Sequence, residues 1–578
     1  MEKRWNIKDS CNPTIVDNLT QELGIDPVLV KLLVQRGITT FDEAKAFFRP
    51  QLSDLHNPFL MKDMDRAVER LEIAIANNER ILIYGDYDVD GTTSVALVYS
   101  FLSSHYKNID YYIPNRYDEG YGVSFKGIDY AKETGCSLII ALDCGIKSVD
   151  KVDYANNLEI DFIICDHHTP GESLPKAVAC LDSKRADCNY PDKNLSGCGV
   201  GFKLMQALCM QLDYDLEGLF EFLDLVAVSI ASDIVPIIGE NRVLAYYGLQ
   251  KLNRDPSLGL KSIIDIAGLK TKEELNITDI VFKIGPRINA AGRIESGRDA
   301  VSLLISCDQI DANTLSNTIN TCNETRRKLD KDITCEALKL LEEAEKNQKR
   351  FSTVIYNETW NKGVIGIVAS RLTEFYYRPT VVLTESNGFA TGSARSVEGF
   401  DLYKAIEHCN DLLESFGGHT YAAGLTLKLE NIGEFSKRFE AYVASHITPE
   451  QLIPQIDVDA VISLAKIDEK FYKILKQFEP FGPGNMKPTF VSGYVFDSGA
   501  SKTVGKPDED NRPRHLKVEL MENNSSCIKQ GIGFSMEEKL SLLKAKEPVD
   551  VCYSIEENHF NGKTTLQMQL RDIKVSSK

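Results

Sequence analysis

The sequence predicts an α/β protein: a parallel-sheet domain, a long connecting helix, a second α/β unit and a terminal β-barrel. Three observations lead there. Apolar runs of strand length alternate with helical patterns between Ile81 and Asp182, the order that builds parallel sheets. Three consecutive runs finish in acid or imidazole groups, and ligands of such sheets sit beyond the carboxyl ends of the strands. Short alternating segments crowd the chain after Leu452, the pattern of a small barrel.

Residues 1–60 read as short packing helices punctuated by Pro13, Pro27, Pro50 and Pro58. Asp26 precedes Pro27 as an N-cap, and Thr40 with Glu43 makes a capping box. Met64–Asn77 carries Ala67, Leu71, Ala74 and Ile75 at helical spacing.

The stretch ILIYGDYDVDG, Ile81–Gly91, is the centre of the first domain. Its β-branched run has the look of a strand buried on both faces. Asp86, Asp88 and Asp90 follow at alternate positions, which in an extended segment would aim them to one side. Like charges so close ionise together only when a cation neutralises them. A helix candidate, Thr92–Leu102, comes next, then strand Asp110–Pro114 ending in Asn115-Arg116 and helix Phe125–Thr134. Ser137–Leu142 ends in Asp143-Cys144-Gly145, Ile160–Cys165 in Asp166-His167-His168, and Val178–Leu181 in Asp182. These endings predict one convergent site. Oxygen donors with imidazole and no thiolate suit Mn²⁺ or Mg²⁺ better than structural zinc. Asp143 is placed to bridge two ions. The rings of adjacent His167 and His168 do not face one point, so one is expected to ligate metal and the other to reach substrate.

SGCGVGFKL, Ser196–Leu204, departs from the dinucleotide-binding glycine pattern and reads as a helix start packed close to the sheet. Leu223–Ile234 delivers Asp233 at the end of an apolar segment. In KIGPRINAAGR, Arg287 and Arg293 make a phosphate clamp of guanidinium forks. Asp311–Arg350 is one charged helix bridging two units. Beyond Phe351, Ser393 and Arg395 in GSARS and His419 in FGGHTYAAG form a second polar constellation suited to an anionic chain. The terminal barrel, with the hairpin signal Asn561-Gly562, offers Arg512, Arg514, Lys517, Phe560 and Lys563 to a nucleic acid.

Composition narrows the setting. Fourteen cysteines without a CxxC pair indicate neither a zinc ribbon nor a disulfide framework. The opening residues lack a secretory core, and Leu219–Ile238 is broken by Glu221, Asp224, Ser229, Ser232 and Asp233. The expectation is a cytoplasmic protein with no membrane span. A net charge of −18 weighs against broad electrostatic binding of nucleic acid but leaves room for a local basic groove.

ILIYGDYDVDG, IIALDCG, IICDHH and ASDIVP together resemble the DHH phosphoesterase superfamily, and FGGHTYAAG is similar to the glycine-rich motif of its DHH-associated domain. With KIGPRINAAGR, GSARS and the barrel added, the chain resembles the RecJ-type single-strand-specific DNA exonucleases from about residue 60 onward. The resemblance implies a DHH catalytic domain at 61–305 after an N-terminal helical segment at 1–60. A connecting helix would span 306–350, a DHH-associated domain 351–450 and an oligonucleotide-binding barrel 451–578. It implies two Mn²⁺ or Mg²⁺ ions held by Asp86, Asp88, Asp90, Asp143, His167 and Asp233, with His168 on the scissile phosphate. Other members open the first motif with histidine where this chain has Tyr84, so which of the three clustered acids replaces that ligand stays open. Arg116, Arg287, Ser393 and Arg395, expected in loops, would converge on a terminal phosphate. Single-stranded DNA digested 5′→3′ is the implied substrate, with a narrow passage between two lobes excluding duplex. A single-stranded-DNA-binding protein and a helicase are the candidate partners. Two rivals stand beside this reading: a phosphoesterase of short oligonucleotides or cyclic dinucleotides, and a catalytically decayed nucleic-acid-binding relative.

Overall fold

The computed structural model describes residues 2–8, 11–345, 350–505, 514–523, 527–560 and 562–576. Leu52–Ile453 forms one compact unit, and Met1–Gln51 with Pro454–Lys578 another.

The first lobe of the larger unit holds strands β1 (Arg80–Gly85), β2 (Ile109–Tyr112), β3 (Cys136–Leu142), β4 (Asp161–Cys165) and β5 (Ala179–Leu181), parallel and ordered β2-β1-β3-β4-β5. Alternation divides each strand between two cores. Ile81, Ile83, Leu138, Ile140 and Ile163 pack on one face, and Leu82, Tyr84, Ile139, Phe162 and Ile164 on the other. All five functional strand ends therefore open on one edge. Around them lie α1 (Val89–His105), α2 (Gly197–Leu212), α3 (Leu223–Ser232), α4 (Gly285–Ile294) and the long α5 (Gln309–Glu345).

The second lobe has β6 (Thr353–Tyr356), α6 (Ile365–Tyr376), β7 (Thr380–Ser386), β8 (Phe389–Arg395), β9 (Leu413–His419) and β10 (Ala422–Leu427). Its sheet runs β9-β10-β8-β7-β6.

In the smaller unit, Ala460–Val461, Phe490–Asp497, Val549–Phe560, Lys563–Val575, Ile528–Gly533, His515–Glu522 and Lys502–Val504 follow one another across a sheet. Pairing of Phe490–Asp497 with His515–Glu522 curls it into a ring. The N-terminal helices add Leu29, Val30, Leu32 and Leu33 to the same core as Phe478, Phe490 and Tyr553. Arg4–Ile7 pairs with Gln455–Val458, and Trp5 Nε1 donates to Asp572 Oδ2 at 2.9 Å. The first residues are thus part of the barrel's packing. Gly562, at φ 71, turns the predicted hairpin, while its neighbour Asn561 lies outside the described residues.

Three local expectations need correcting. Asp86, Asp88 and Asp90 do not line one side of an extended segment. The helix starts at Val89, Asp88 caps it by accepting from Gly91 N at 3.0 Å, and Asp90 sits in the first turn. This tight reversal needs glycine at 91, where a Cβ would lie 2.3 Å from the Asp86 carbonyl oxygen. Arg287 lies on helix α4 and not in a loop. Ser393 and Arg395 lie on strand β8 and not in a loop, while Arg116 is in the turn after β2 as expected. All three glycines of FGGHTYAAG, Gly417, Gly418 and Gly424, lie within the paired strands β9 and β10.

Candidate metal centre

The edge of the first sheet gathers buried groups whose polar atoms lack partners. Asp143 follows β3 at φ 59 and is 1% exposed; neither carboxylate oxygen has a hydrogen-bond donor. His167 Nε2 lies 3.2 Å from Asp143 Oδ1, 3.6 Å from Asp233 Oδ2 and 3.7 Å from Asp90 Oδ2. Neither of its ring nitrogens makes a hydrogen bond. Ligand-type atoms cluster as Asp143–His167–His168 and as Asp90–His167–Asp233, all within 4.8 Å inside each group. Asp86 and Asp88 adjoin these groups without joining either. Asp86 Oδ1 accepts from Gly122 N at 3.0 Å, and its buried Oδ2 has no donor.

Buried polar atoms are ordinarily satisfied, so this concentration of orphaned acceptors marks a missing positive partner. A set of carboxylates with one imidazole fits a divalent cation with a preference for oxygen. Asp143, with both oxygens free, fits a bridging place between two such ions.

Electrostatics agree. Burial pushes the Asp143 carboxyl well above the usual carboxylate range, and Asp90 and Asp88 push further. Burial, then Asp88, does the same to Asp86. Asp233, which caps the C-terminus of α3, is pushed up to about 8 by burial, Asp90 and Asp88. Burial pulls the His167 imidazole below its usual value, against the opposing pull of Asp90.

The adjacent histidines part company as expected: their ring planes are 61° apart. Asp166 is what separates them. Its Oδ1 accepts from the amides of His167 and His168 and from His168 Nδ1, the last at 2.7 Å, while Oδ2 accepts from Ile146 N at 2.9 Å. Burial works to raise Asp166, but the His168 bond and charge and these amides bring it down to about 2. Burial likewise opposes the charge on His168, and the Asp166 bond outweighs it, holding the ring at about 8. His168 Nε2 meets the Tyr121 hydroxyl at 3.2 Å.

A sign follows for the metal-free protein. Asp86, Asp143 and Asp233 have folded values above their unfolded ones, so their contribution to stability is full below about pH 4 and is lost as pH rises through those folded values, about 8 for Asp233. Metal-free protein should therefore melt at falling temperature between about pH 5 and about pH 9. Saturating Mn²⁺ should remove most of that slope. A flat calorimetric profile without metal would contradict the burial of unneutralised carboxylates.

Beside the centre, positive charge accumulates. Arg116 stacks over the Tyr87 ring at 4.5 Å, and its Nη1 is buried without a hydrogen-bond partner. Arg293 Nη1 donates to the Gly363 carbonyl of the second lobe at 2.9 Å. Burial, with Arg116 and Arg326 close by, lowers Arg293 to about 10. Arg326, on α5, keeps a buried Nε without a partner while its Nη2 donates to Asn323 Oδ1 at 3.0 Å; burial lowers its guanidinium, and Asp330 opposes the added push of Arg327, Arg371 and Arg287. Arg287 Nε reaches Asn320 Oδ1 at 3.1 Å.

In the second lobe Arg395 Nη1 donates to Ser393 Oγ at 3.0 Å, and burial lowers the guanidinium. His419 pairs in register with Ala422, which pairs with Arg395. The three share one face, with His419 two strands, about 9.5 Å, from Arg395. Gly417 and Gly424 keep the rest of that face low. A Cβ at Gly366 would come within 3.0 Å of Ser393 Oγ and 3.2 Å of Arg395 Nη2, and the Gly363 carbonyl accepts from Arg293, so one short segment lies against both sets of cations.

On the barrel, Arg514 is held by Glu537 at 2.9 Å and is not a free cation. Lys517 pairs in register with Lys502 and Ile532, and Lys563 is exposed. Arg512 and the Phe560 side chain lie outside the described residues. An exposed aromatic that the sequence reading passed over, Phe534, stands edge-on to His515 at 5.1 Å.

Other residues were also missed. Arg326 had a signal, the pair Arg326-Arg327 within the charged helix Asp311–Arg350. Tyr121 had one too, its place between Gly120 and Gly122. Asp166 was seen as a strand ending without its role as the histidine cradle.

Fold and centre together define the class, a DHH-type phosphoesterase with its associated second domain. Family models match in order: the DHH family N-terminal domain over residues 80–230, the DHHA1 domain over 348–445 and the RecJ OB domain over 458–572. Within that class the chain belongs to the RecJ family. It is 37% identical to the single-stranded-DNA-specific exonuclease RecJ of Bacillus subtilis (strain 168), over 99% of this chain and 71% of that protein. It is 33% identical to the protein of the same name from Escherichia coli (strain K12), over 95% of this chain and 96% of that protein. The crystal structure of RecJ from Thermus thermophilus in complex with Mn²⁺ shares the fold, with a TM-score of 0.84 at 24% identity over 100% of this chain and 80% of that one. Among the described residues no helix is long and apolar enough to cross a membrane.

Proposed function

We propose that this protein is a metal-dependent exonuclease that hydrolyses single-stranded DNA from the 5′ end, in DNA repair and recombination. The observation that carries the reading is the set of buried, unpartnered atoms on Asp143 and His167 beside the guanidiniums of Arg116 and Arg293. Asp90, His167 and Asp233 would hold one ion, Asp86 and Asp88 would serve the second, and Asp143 would bridge them. Two bound Mn²⁺ or Mg²⁺ ions supply an activated water and stabilise charge on the scissile phosphate. His168, oriented by Asp166, presents Nε2 to that phosphate once Tyr121 gives way. Arg116 and Arg326, both close to Arg293, would join it in taking backbone phosphates, which guanidinium forks suit. Arg287 extends that strip. Ser393, Arg395 and His419 take a terminal 5′ phosphate, which sets polarity.

The division of labour follows the limits 61–305 for chemistry, 306–350 for the connecting helix, 351–450 for end recognition and 451–578 for holding distant strand. Residues 1–60 support packing, with those up to Gln51 sharing the barrel's core. Fourteen free cysteines suit a reducing cytoplasm. A single-stranded-DNA-binding protein and a helicase would deliver the substrate.

A titration of Mn²⁺ and Mg²⁺ against single-stranded, duplex and dinucleotide substrates tests this. Metal-dependent cleavage of long single strands, with duplex spared, is the expected result. Preference for dinucleotides would move the substrate to the small-molecule branch of the superfamily. Binding without cleavage at any metal concentration would make the protein a non-catalytic relative.

A further inference from the structure

Asp90 is held differently from its neighbours. Its Oδ2 accepts from Gly197 N at 2.7 Å, and its Oδ1 accepts from Cys198 N at 2.8 Å. Both amides belong to the first turn of α2, whose free N–H groups favour an anion. A third donor is Ser229, fully buried on α3, with Oγ 2.7 Å from Asp90 Oδ1. Ser229 Oγ also lies 2.6 Å from Ser196 Oγ, the N-cap of α2, which accepts from Gly199 N at 3.1 Å. A hydroxyl has one proton to give and a carboxylate only accepts. The Ser229 proton therefore goes to Asp90, and the Ser196 hydroxyl supplies the proton between the two serines.

This relay fastens three helices at the point where their ligands meet. Asp90 rides on α1. Ser229 lies one turn before Asp233 on α3, and the Asp233 amide donates to the Ser229 carbonyl at 2.9 Å. Gly197 on α2 lies against Asp143, where a Cβ would come within 2.6 Å of the Asp143 Cβ. With donors on both oxygens, Asp90 has a fixed orientation, and its Oδ2 faces His167.

We propose that Ser229, with Ser196 behind it, is a positioning residue for metal: it fixes Asp90 so that the ion shared by Asp90, His167 and Asp233 meets a preset group. This rests on the reading of those residues as metal ligands. Groups that orient metal ligands are worth about 10–100-fold in affinity.

Mn²⁺ binding to the full-length protein, followed by loss of the free-ion electron paramagnetic resonance signal, is the direct test. Ser229→Ala should weaken one of the Mn²⁺ sites about tenfold or more, and the Mn²⁺ concentration giving half-maximal cleavage should rise in step. Ser229→Thr keeps the hydroxyl and should restore most of the affinity. Asp90→Asn is the control for the ligand reading. Wild-type Mn²⁺ affinity in Asp90→Asn would remove Asp90 from the ligand set and the relay with it. Loss in Asp90→Asn with wild-type affinity in Ser229→Ala would leave the ligands standing and overturn the relay. Equal loss in the alanine and threonine variants would trace the effect to packing and overturn it as well. If circular dichroism shows Ser229→Ala unfolded, Ser229→Cys, a weaker donor of similar size, carries the same expectation and the same overturning result.

Discussion

Asp143→Asn should reduce single-strand hydrolysis by on the order of 10³-fold or more while leaving the protein folded. The size follows from the residue's place. On the proposed two-ion reading, a ligand shared by both ions would lose its charge, and transition-state stabilisation of several kcal/mol would go with it, each 1.36 kcal/mol being tenfold in rate. Asparagine is the right replacement because Asp143 has φ 59, a backbone region that asparagine tolerates and alanine does not. Folding should not suffer, since the change removes a buried carboxyl that has no hydrogen-bond donor. Metal-free Asp143→Asn should melt no lower than wild type above neutral pH, and it should lose Mn²⁺ binding. Single-turnover cleavage, calorimetry and a Mn²⁺ titration measure the three outcomes. Near wild-type turnover would end the two-ion assignment.

Arg395→Ala should abolish most of the preference for 5′-phosphorylated ends. Arg395 is half-buried beside Ser393, and burial lowers its guanidinium, so the charge sits where water competes weakly. A hydrogen bond to a charged group contributes about 1.5–3 kcal/mol, which corresponds to about 10–150-fold in kcat/KM for the phosphorylated end. Strands ending in a 5′ hydroxyl make no such bond and should change by less than about threefold. Measuring kcat/KM on matched oligonucleotides with the two ends decides it. Equal loss on both would show that Arg395 supports the lobe and does not read the terminus.

The parallel sheet and its acidic edge were open to reading because both are short-range facts. Ile81–Ile83, Leu138–Leu142 and Phe162–Cys165 are apolar enough to be buried on two faces, and parallel topology sends every following residue to the same edge. Whereas Asp233, at a helix end, came only with the family resemblance, Asp143, His167 and His168 could thus be assembled from spacing. So could the hairpin at Gly562 and the capping box of Thr40 and Glu43. The individual roles of Asp86, Asp88 and Asp90 could not. Alternation favours an extended segment, but the close approach permitted by Gly91 turns the chain into a helix at Val89, ahead of the Thr92 start that the apolar pattern indicates. The N-terminal helices were legible as helices and not as part of the barrel's core, because Arg36 finds Asn485 449 positions away. Arg326 could not be told from its neighbours on the charged helix Asp311–Arg350, since burial of a helical charge depends on what packs over it. The donors that orient Asp90 lie 107, 108 and 139 positions along the chain. Local sequence determined which chemical groups this protein possesses and on which edge they end. Only tertiary packing decided which of them keep free lone pairs, because a hydrogen bond forms between atoms a few ångströms apart whatever their distance along the chain.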